Sequence, residues 1–468
     1  MTKYENSGSA ELEMAGNDIE LVDEKALNWF DVSAIGTGEM LFTAGWAWII
    51  YIGSLFGIKW TLIGFALGAV VINLSWWLYR EMITAVPEPG SIQSYGREAG
   101  LFPLGTTFFV GYAPVYGAFM WLELIVAQGL LHILMPSVPQ WIWPYAVLVP
   151  VVGLNLAGTQ ITGKVQAVLV AFTLLGDIFI ACAVWWLMSD HTVWKANWGS
   201  PTPITWLTPF TVAALWVAIM AAVLEVQQVM VDEWSDFERS RDIGLLSAAW
   251  QLWSRQIPLA LGLMASLPLG VMVAMSVPTV EAVQQKLGTG PLFYLSLISM
   301  LVATYTTFSV FFMAEGKVLA LYAQQGALPR IIGQYSSRAV PWVAIIFLAL
   351  FSLIGAYWRN FTFIIDVLTN WSSTLYLVIA IFYLRMKRNR ELERPVEAKF
   401  GVPIAIFLVC FTTMLTYASF ALNWKAGVSW FAIVGAFVLY DHFIVPRTKR
   451  GGFYRAQVLR RRTSAARL

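Results

Sequence analysis

Residues 36–42 read GTGEMLF, and they sit inside an apolar stretch that runs from about Phe30 to about Phe56. A carboxylate at bilayer depth costs roughly a few kcal/mol, so Glu39 needs a reason to be there. The glycines on either side of Thr37 supply one. Glycine tolerates non-helical backbone angles and lets a ligand approach closely, so the stretch reads as a helix interrupted in mid-membrane. Its freed amides and carbonyls can then bind a solute. Close packing of two helices through small residues is the competing reading of the same glycines.

The rest of the chain sets that stretch in a membrane. Of 468 residues, 58% are hydrophobic and 12% charged, with 23 tryptophans, a balance that a water-soluble domain of this size cannot present to solvent. Apolar runs predict spans near 30–54, 60–84, 104–134, 141–157, 163–188 and 207–231, then 256–277, 291–322, 341–357, 361–384, 401–422 and 426–445. Twelve spans put both termini on one side. With that side cytoplasmic, only Lys59, Lys195, Lys286, Arg359 and Lys425 face out, and the other 25 of the 30 basic residues, Arg255 among them, face in. The acidic opening (residues 1–27) has neither a basic n-region nor a small-residue cleavage site, which predicts no cleaved signal peptide. The basic tail (447–468) is expected to lie on the anionic inner leaflet rather than to bind nucleic acid. Cys182 and Cys410 lie in apolar runs without the spacing of a metal cage or a disulfide framework. No loop is long enough for a catalytic domain, and nothing matches a P-loop, so neither an enzyme nor a nucleotide-driven pump is expected, and no cofactor or metal.

Two spans carry a mid-span carboxylate at corresponding places, Glu39 in the first and Glu225 in the sixth. Five spans separate them, the repeat length of transporters built from two inverted five-helix halves. Four further segments carry a family resemblance. YREMITAVPEPGSIQSYGREAGLFPLG (79–105) resembles the loop between the second and third helices of the amino acid-polyamine-organocation (APC) transporters, matching at Tyr79, Glu81, Pro87, Gly90, Arg97, Glu98 and Ala99. NLAGTQITGKVQAVL resembles the entry to that family's fifth helix at Asn155, Gly158, Gly163, Val165 and Gln166. VDEWSDFERS resembles the segment after its sixth helix at Glu233 and Arg239, and GKVLALYAQQGALPRIIG the end of its eighth at Ala323, Gly326, Leu328 and Pro329. All four stand in the family's order, each at a membrane boundary.

The resemblance implies an all-α integral membrane protein with twelve transmembrane helices in a LeuT-like five-plus-five inverted repeat, helices 1 and 6 broken. The transporter domain is expected over 28–446, with repeats at about 28–190 and 205–386 and two added helices over 401–446. GTG is then similar to the family's G-S-G break, and Glu225 falls on the glutamate of its G-x-E. The chain departs from the pattern at Val223, where the family has glycine, which leaves the second break either narrower than usual or placed at Ala221 and Ala222, and at Glu39, commonly apolar in the family. Implied substrate contacts are Gly36, Thr37, Gly38, Glu39, Ala222, Glu225 and Phe311, the last as a ring offered to an ammonium. Coupling or gating candidates are Glu225, Glu39, Glu123, Asp177 and Thr173; the last stands where, counting from Gly163, several family members carry a lysine in place of a coupling sodium ion. For Glu123 and Asp177, ordinary hydrogen bonding between helices is the competing reading. Glu315 and Lys317 are expected to pair with each other or to snorkel, and His132 to be interfacial.

Function follows as secondary transport of a small amine or amino acid across the cytoplasmic membrane by alternating access, coupled to protons because four carboxylates lie within spans. An amino-acid exchanger with sodium or no ion coupling, a non-transporting membrane sensor of the same fold and a channel are the alternatives. If Glu39 sits at the N-terminal end of the outer half-helix, it competes there with a substrate carboxylate and favours a substrate ammonium.

Overall fold

The computed structural model describes residues 27–448 other than Phe42, Ala222 and Arg359. Both terminal tails therefore lie largely outside the described residues, as does the expected contact Ala222. The described residues form helices joined by turns and irregular segments, with an isolated bridge between Leu27 and Trp234. α1 (Trp29–Met40) starts with a capping box, the Asn28 side chain accepting from the Phe30 and Asp31 amides while Asp31 accepts from the Asn28 amide at 3.1 Å. After residues 41–43, α2 (Ala44–Ala85) runs for 42 residues and turns a corner at Gly57, where φ is +74°. A β-carbon at Gly57 would lie 2.0 Å from the Gly199 carbonyl, so the corner admits only glycine.

There follow α3 (Phe102–Leu134), α4 (Trp143–Leu156), α5 (Thr159–Met188) and α6 (Thr208–Met220). α6 gives way to residues 221–224 and the single turn α7 (Glu225–Gln228). α8 (Leu245–Met264), α9 (Pro291–Gln324), α10 (Trp342–Tyr357), α11 (Phe361–Met386), α12 (Gly401–Leu422) and α13 (Trp424–Leu439) complete the set. Every residue of α6 from Thr211 to Met220 is buried, which makes it the central element, packed against α2, α11 and α12. Large apolar side chains such as Val149, Val168, Leu175, Trp186 and Leu350 point outward, the exterior expected of a protein whose solvent is lipid.

Among the described residues, eight helices are long and apolar enough to cross a membrane, with two shorter apolar helices. The differences from the sequence reading have physical causes. The outer part of the first expected span and all of the second run together as α2 across the Gly57 corner. The seventh expected span, 256–277, is displaced: the helix is Leu245–Met264, and Leu269–Met272 and Pro278–Leu287 form separate short helices. The expectation failed because it assigned Arg255 to the cytoplasm, whereas Arg255 is wholly buried in α8 against Asp177 of α5. An opposite charge from another helix lets a span carry an arginine that hydropathy rejects.

Candidate functional site

The first interruption, at 41–43, falls later than expected. Gly36, Thr37, Gly38 and Glu39 are all helical residues of α1. The glycines serve close approach: a β-carbon on Gly36 would sit 1.9 Å from Gln227 Nε2, and one on Gly38 would sit 1.8 Å from Gln166 Nε2. Thr37 turns away from the interruption and donates to Gln251 Oε1 of α8 at 2.9 Å. The Gly38 carbonyl accepts from the Thr307 hydroxyl of α9 at 3.1 Å. Glu39 is buried in the last turn of α1, so it stands at a helix C-terminus and not at the N-terminus of the next segment.

That N-terminus is occupied by Glu123. Its Oε1 accepts from the Thr43 amide at 3.0 Å, from the Thr43 hydroxyl, and from the Thr304 hydroxyl at 2.7 Å. Its Oε2 accepts from the Ala44 amide at 3.0 Å. A carboxylate from α3 thus takes the amides that the sequence reading left for a solute or for Glu39. A carboxylate is the natural ligand there, because the first amides of a helix lack intrahelical partners and carry the positive end of its dipole.

The other cut end is met by a cation. Arg255 donates from Nη2 to the Leu41 carbonyl at 3.4 Å, pairs through Nε with Asp177, and lies 5.1 Å from the centre of the Trp46 ring. Asp177 also accepts from the Ser299 hydroxyl at 2.7 Å. Arg255 Nη1 is buried and has no hydrogen-bond partner among the described residues. Three buried carboxylates, Glu39, Glu123 and Asp177, thus share the neighbourhood of the interruption with one guanidinium.

The second interruption has different partners. Ala221 is extended, with ψ at 150°, and Glu225 opens α7. Glu225 accepts from the Tyr79 hydroxyl at 2.7 Å, and Gln228 from the Tyr95 hydroxyl at 2.7 Å. Gln227 donates to the Val32 carbonyl of α1 at 2.9 Å, which ties the stub of the sixth span to the first. Tyr79 and Glu81 of the family-like loop have structural work here. Glu81 joins α2 to the end of α11 and the segment after it, accepting from the Tyr383 hydroxyl and the Ala398 amide and pairing with Lys387 and Arg394.

Phe311 is buried and stacks on Phe119, which itself stacks on Trp48 and meets Trp371 edge-on. Thr173 donates to the Leu169 carbonyl one turn back in its own helix at 2.9 Å. Among the α5 side chains that reach α1 is Gln166, whose Nε2 donates to the Thr306 carbonyl of α9 at 3.1 Å and presses on Gly38. Lys317 pairs with Glu233, not with the expected Glu315. Sequence reasoning thus missed Arg255, Gln166 and Gln251, although each is a polar residue inside or beside an apolar run, the signal that singled out Glu39.

Comparison with known proteins agrees with this architecture. A solved structure of a Na+-coupled sialic acid symporter, substrate-bound and outward-open, superposes with a TM-score of 0.57 at 11% sequence identity, covering 88% of this chain and 95% of that one. L-asparagine permease 1 of Mycobacterium tuberculosis and of Mycobacterium bovis is 23% identical over 290 residues. The match spans 59% of this chain and 58% of each relative, so the chain covers less than two thirds of the length of the curated relatives it matches. The amino acid permease family matches residues 32–444. The chain is a multi-pass membrane protein and belongs to the amino acid permease family of the APC superfamily.

Proposed function

We propose that the chain is a secondary active transporter that carries a small cationic amine across the cytoplasmic membrane by alternating access, in symport or exchange with protons. In this reading both termini are cytoplasmic and the spans number twelve, in two inverted five-helix repeats at about 28–190 and 205–386 with two further spans over 401–446. α1 with the start of α2 forms the broken first helix, and α6 with α7 the broken sixth. The substrate lies beside the first interruption, near Gly36–Glu39, with Ala222, Glu225 and Phe311 on its other sides.

The observation that carries the amine reading is Glu123. The amides and hydroxyls that would receive a substrate carboxylate already donate to the protein's own. Bringing a second carboxylate to those donors sets two anions against each other, whereas an ammonium is drawn to a region where Glu123 and Asp177 stand beside one guanidinium. One feature favours an amino acid instead: Arg255 Nη1 is a buried donor without a hydrogen-bond partner among the described residues, suited to a carboxylate, and the relatives above are named as asparagine permeases.

The test is uptake by purified protein in liposomes under an imposed pH gradient, with each amino acid paired against its decarboxylated amine. Accumulation of the amine, lost on adding a protonophore, is the expected result. Accumulation of the amino acid in preference to its amine overturns the amine reading, and uptake indifferent to the pH gradient overturns proton coupling.

A further inference from the structure

Glu315 is used by nothing described so far. It lies in α9, wholly buried, and neither of its oxygens has a hydrogen-bond partner among the described residues. Helical spacing puts it one turn after Phe311, one turn before Val318 and two turns before Tyr322, all on one face. Phe311 stacks on Phe119 of α3, while Val318 and Tyr322 share a cluster with Val229, the residue that follows α7. Glu315 therefore stands between the aromatic cluster and the stub of the sixth span. Eight residues separate it from Thr307, which holds the Gly38 carbonyl, so it lies about 12 Å along the axis from the first interruption.

Among the described residues no cation pairs with Glu315. On its own helix Lys317 points to a different side and pairs with Glu233. The segment 440–447, whose Val445 shares the cluster of Val318 and Tyr322, brings a buried Asp441 and an exposed His442 and Arg447. α3 brings Glu123, held by Thr43, Ala44 and Thr304. α5 brings Asp177, paired with Arg255, and an exposed Lys164. α1 brings Asp31, engaged in its capping box, and Glu39. α7 brings Glu225, held by Tyr79. The helix Pro278–Leu287 brings Glu281, which accepts from the Val277 amide, and an exposed Lys286, and the turn Arg330–Gly333 brings an exposed Arg330. α4 and α10 carry no charged side chain.

An ionised carboxylate in such a place would be an isolated buried charge, which is far costlier than the neutral acid. We propose that Glu315 is the proton-binding site of the transport cycle. It holds a proton while α7 and α9 stay packed, and it releases the proton to water when the stub of the sixth span moves off α9. Release leaves a carboxylate and a hydronium ion, and a proton from the opposite side restores the acid before the next passage. This assignment rests on the transporter reading above but places the proton on α9 and not on Glu225.

The experiment compares wild type with Glu315→Gln and Glu315→Asp. In purified protein near neutral pH, the infrared carbonyl stretch of a buried carboxylic acid is expected in wild type and lost in Glu315→Gln. In liposomes, Glu315→Gln is expected to lose accumulation driven by the pH gradient, falling to the equilibrium level, while exchange of labelled for unlabelled substrate persists. Should Glu315→Gln fail to fold, Glu315→Asp keeps an ionisable group and is expected to accumulate substrate with a displaced pH profile. An infrared spectrum that does not change in Glu315→Gln, wild-type accumulation by Glu315→Gln, or an undisplaced profile in Glu315→Asp contradicts the assignment. If wild type moves no amine or amino acid, the transporter reading fails, and the infrared comparison still decides whether Glu315 holds a proton.

Discussion

The two interruptions, at residues 41–43 and 221–224, are similar on paper and differ in what surrounds them. At the first, both cut ends are met by charges: Glu123 on the amides of Thr43 and Ala44, and Arg255 on the carbonyl of Leu41, itself paired with Asp177. These charges come from α3, α8 and α5. At the second, the described hydrogen bonds run from neutral donors, namely the phenols of Tyr79 to Glu225 and of Tyr95 to Gln228, and the amide of Gln227 to the Val32 carbonyl. Buried opposite charges are costly to separate, whereas a hydrogen bond contributes about 1 kcal/mol net between neutral groups and about 1.5–3 kcal/mol to a charged one. On the proposed transport cycle, the first interruption is the fixed frame and the second is the part that shifts against it.

That contrast predicts an order of effects on the thermal stability of the purified protein. Arg255→Met leaves Asp177 as an unpaired buried charge and should cost about 3–5 kcal/mol, largely recovered when Asp177→Leu is added. Equal losses in the single and double variants would show that the pair does not hold the frame. Next, Glu123→Ala strands the buried amides of Thr43 and Ala44 and should cost roughly 1–3 kcal/mol. Tyr79→Phe at the second interruption removes one hydrogen bond to the buried Glu225 carboxyl and should cost about 1–3 kcal/mol. A Tyr79→Phe loss larger than that of Arg255→Met would reverse the comparison.

The smallest effect is expected outside the membrane, where Asp242 meets Arg80 at 2.7 Å and Arg241 at 2.5 Å. Partial burial pushes the Asp242 carboxyl up, but the hydrogen bonds and charges of Arg241 and Arg80 outweigh it and hold the group below the usual carboxylate range. Because the folded value lies below the unfolded one, this pairing stabilises the fold above about pH 4 and the contribution fades as pH falls through the folded value. Asp242→Asn should therefore lower stability slightly at neutral pH, where the pairing is present, and flatten the acid limb below about pH 4, where variant and wild type converge. A full acid limb in that variant would assign it to other carboxylates.

The apolar runs made most of the helices legible, because a run of about twenty apolar residues has few other uses. Long-range partners were not legible. Arg255 looked cytoplasmic because its answering charge, Asp177, is 78 residues away. Glu123 looked like ordinary interhelical bonding because the amides it caps belong to residues about 80 positions earlier. In GTGE the presence of glycine was informative and its purpose was not, since glycine serves a break or a close approach equally well; here Gln227 and Gln166 fill the space that a side chain would need. The carboxylate competition argued for Glu39 survives in principle but passes to Glu123, because the segment after the interruption starts at Ala44.

The claim that the first interruption already holds its own carboxylate is tested most directly by thermal shift of the wild-type protein against amino acids and their decarboxylated amines, measured side by side at equal concentration. A bound ligand at a hundred times its dissociation constant stabilises by about 2.7 kcal/mol. At least one amine should raise the unfolding temperature while its parent amino acid leaves it unmoved. An amino acid that stabilises the protein more than its own amine would contradict the account.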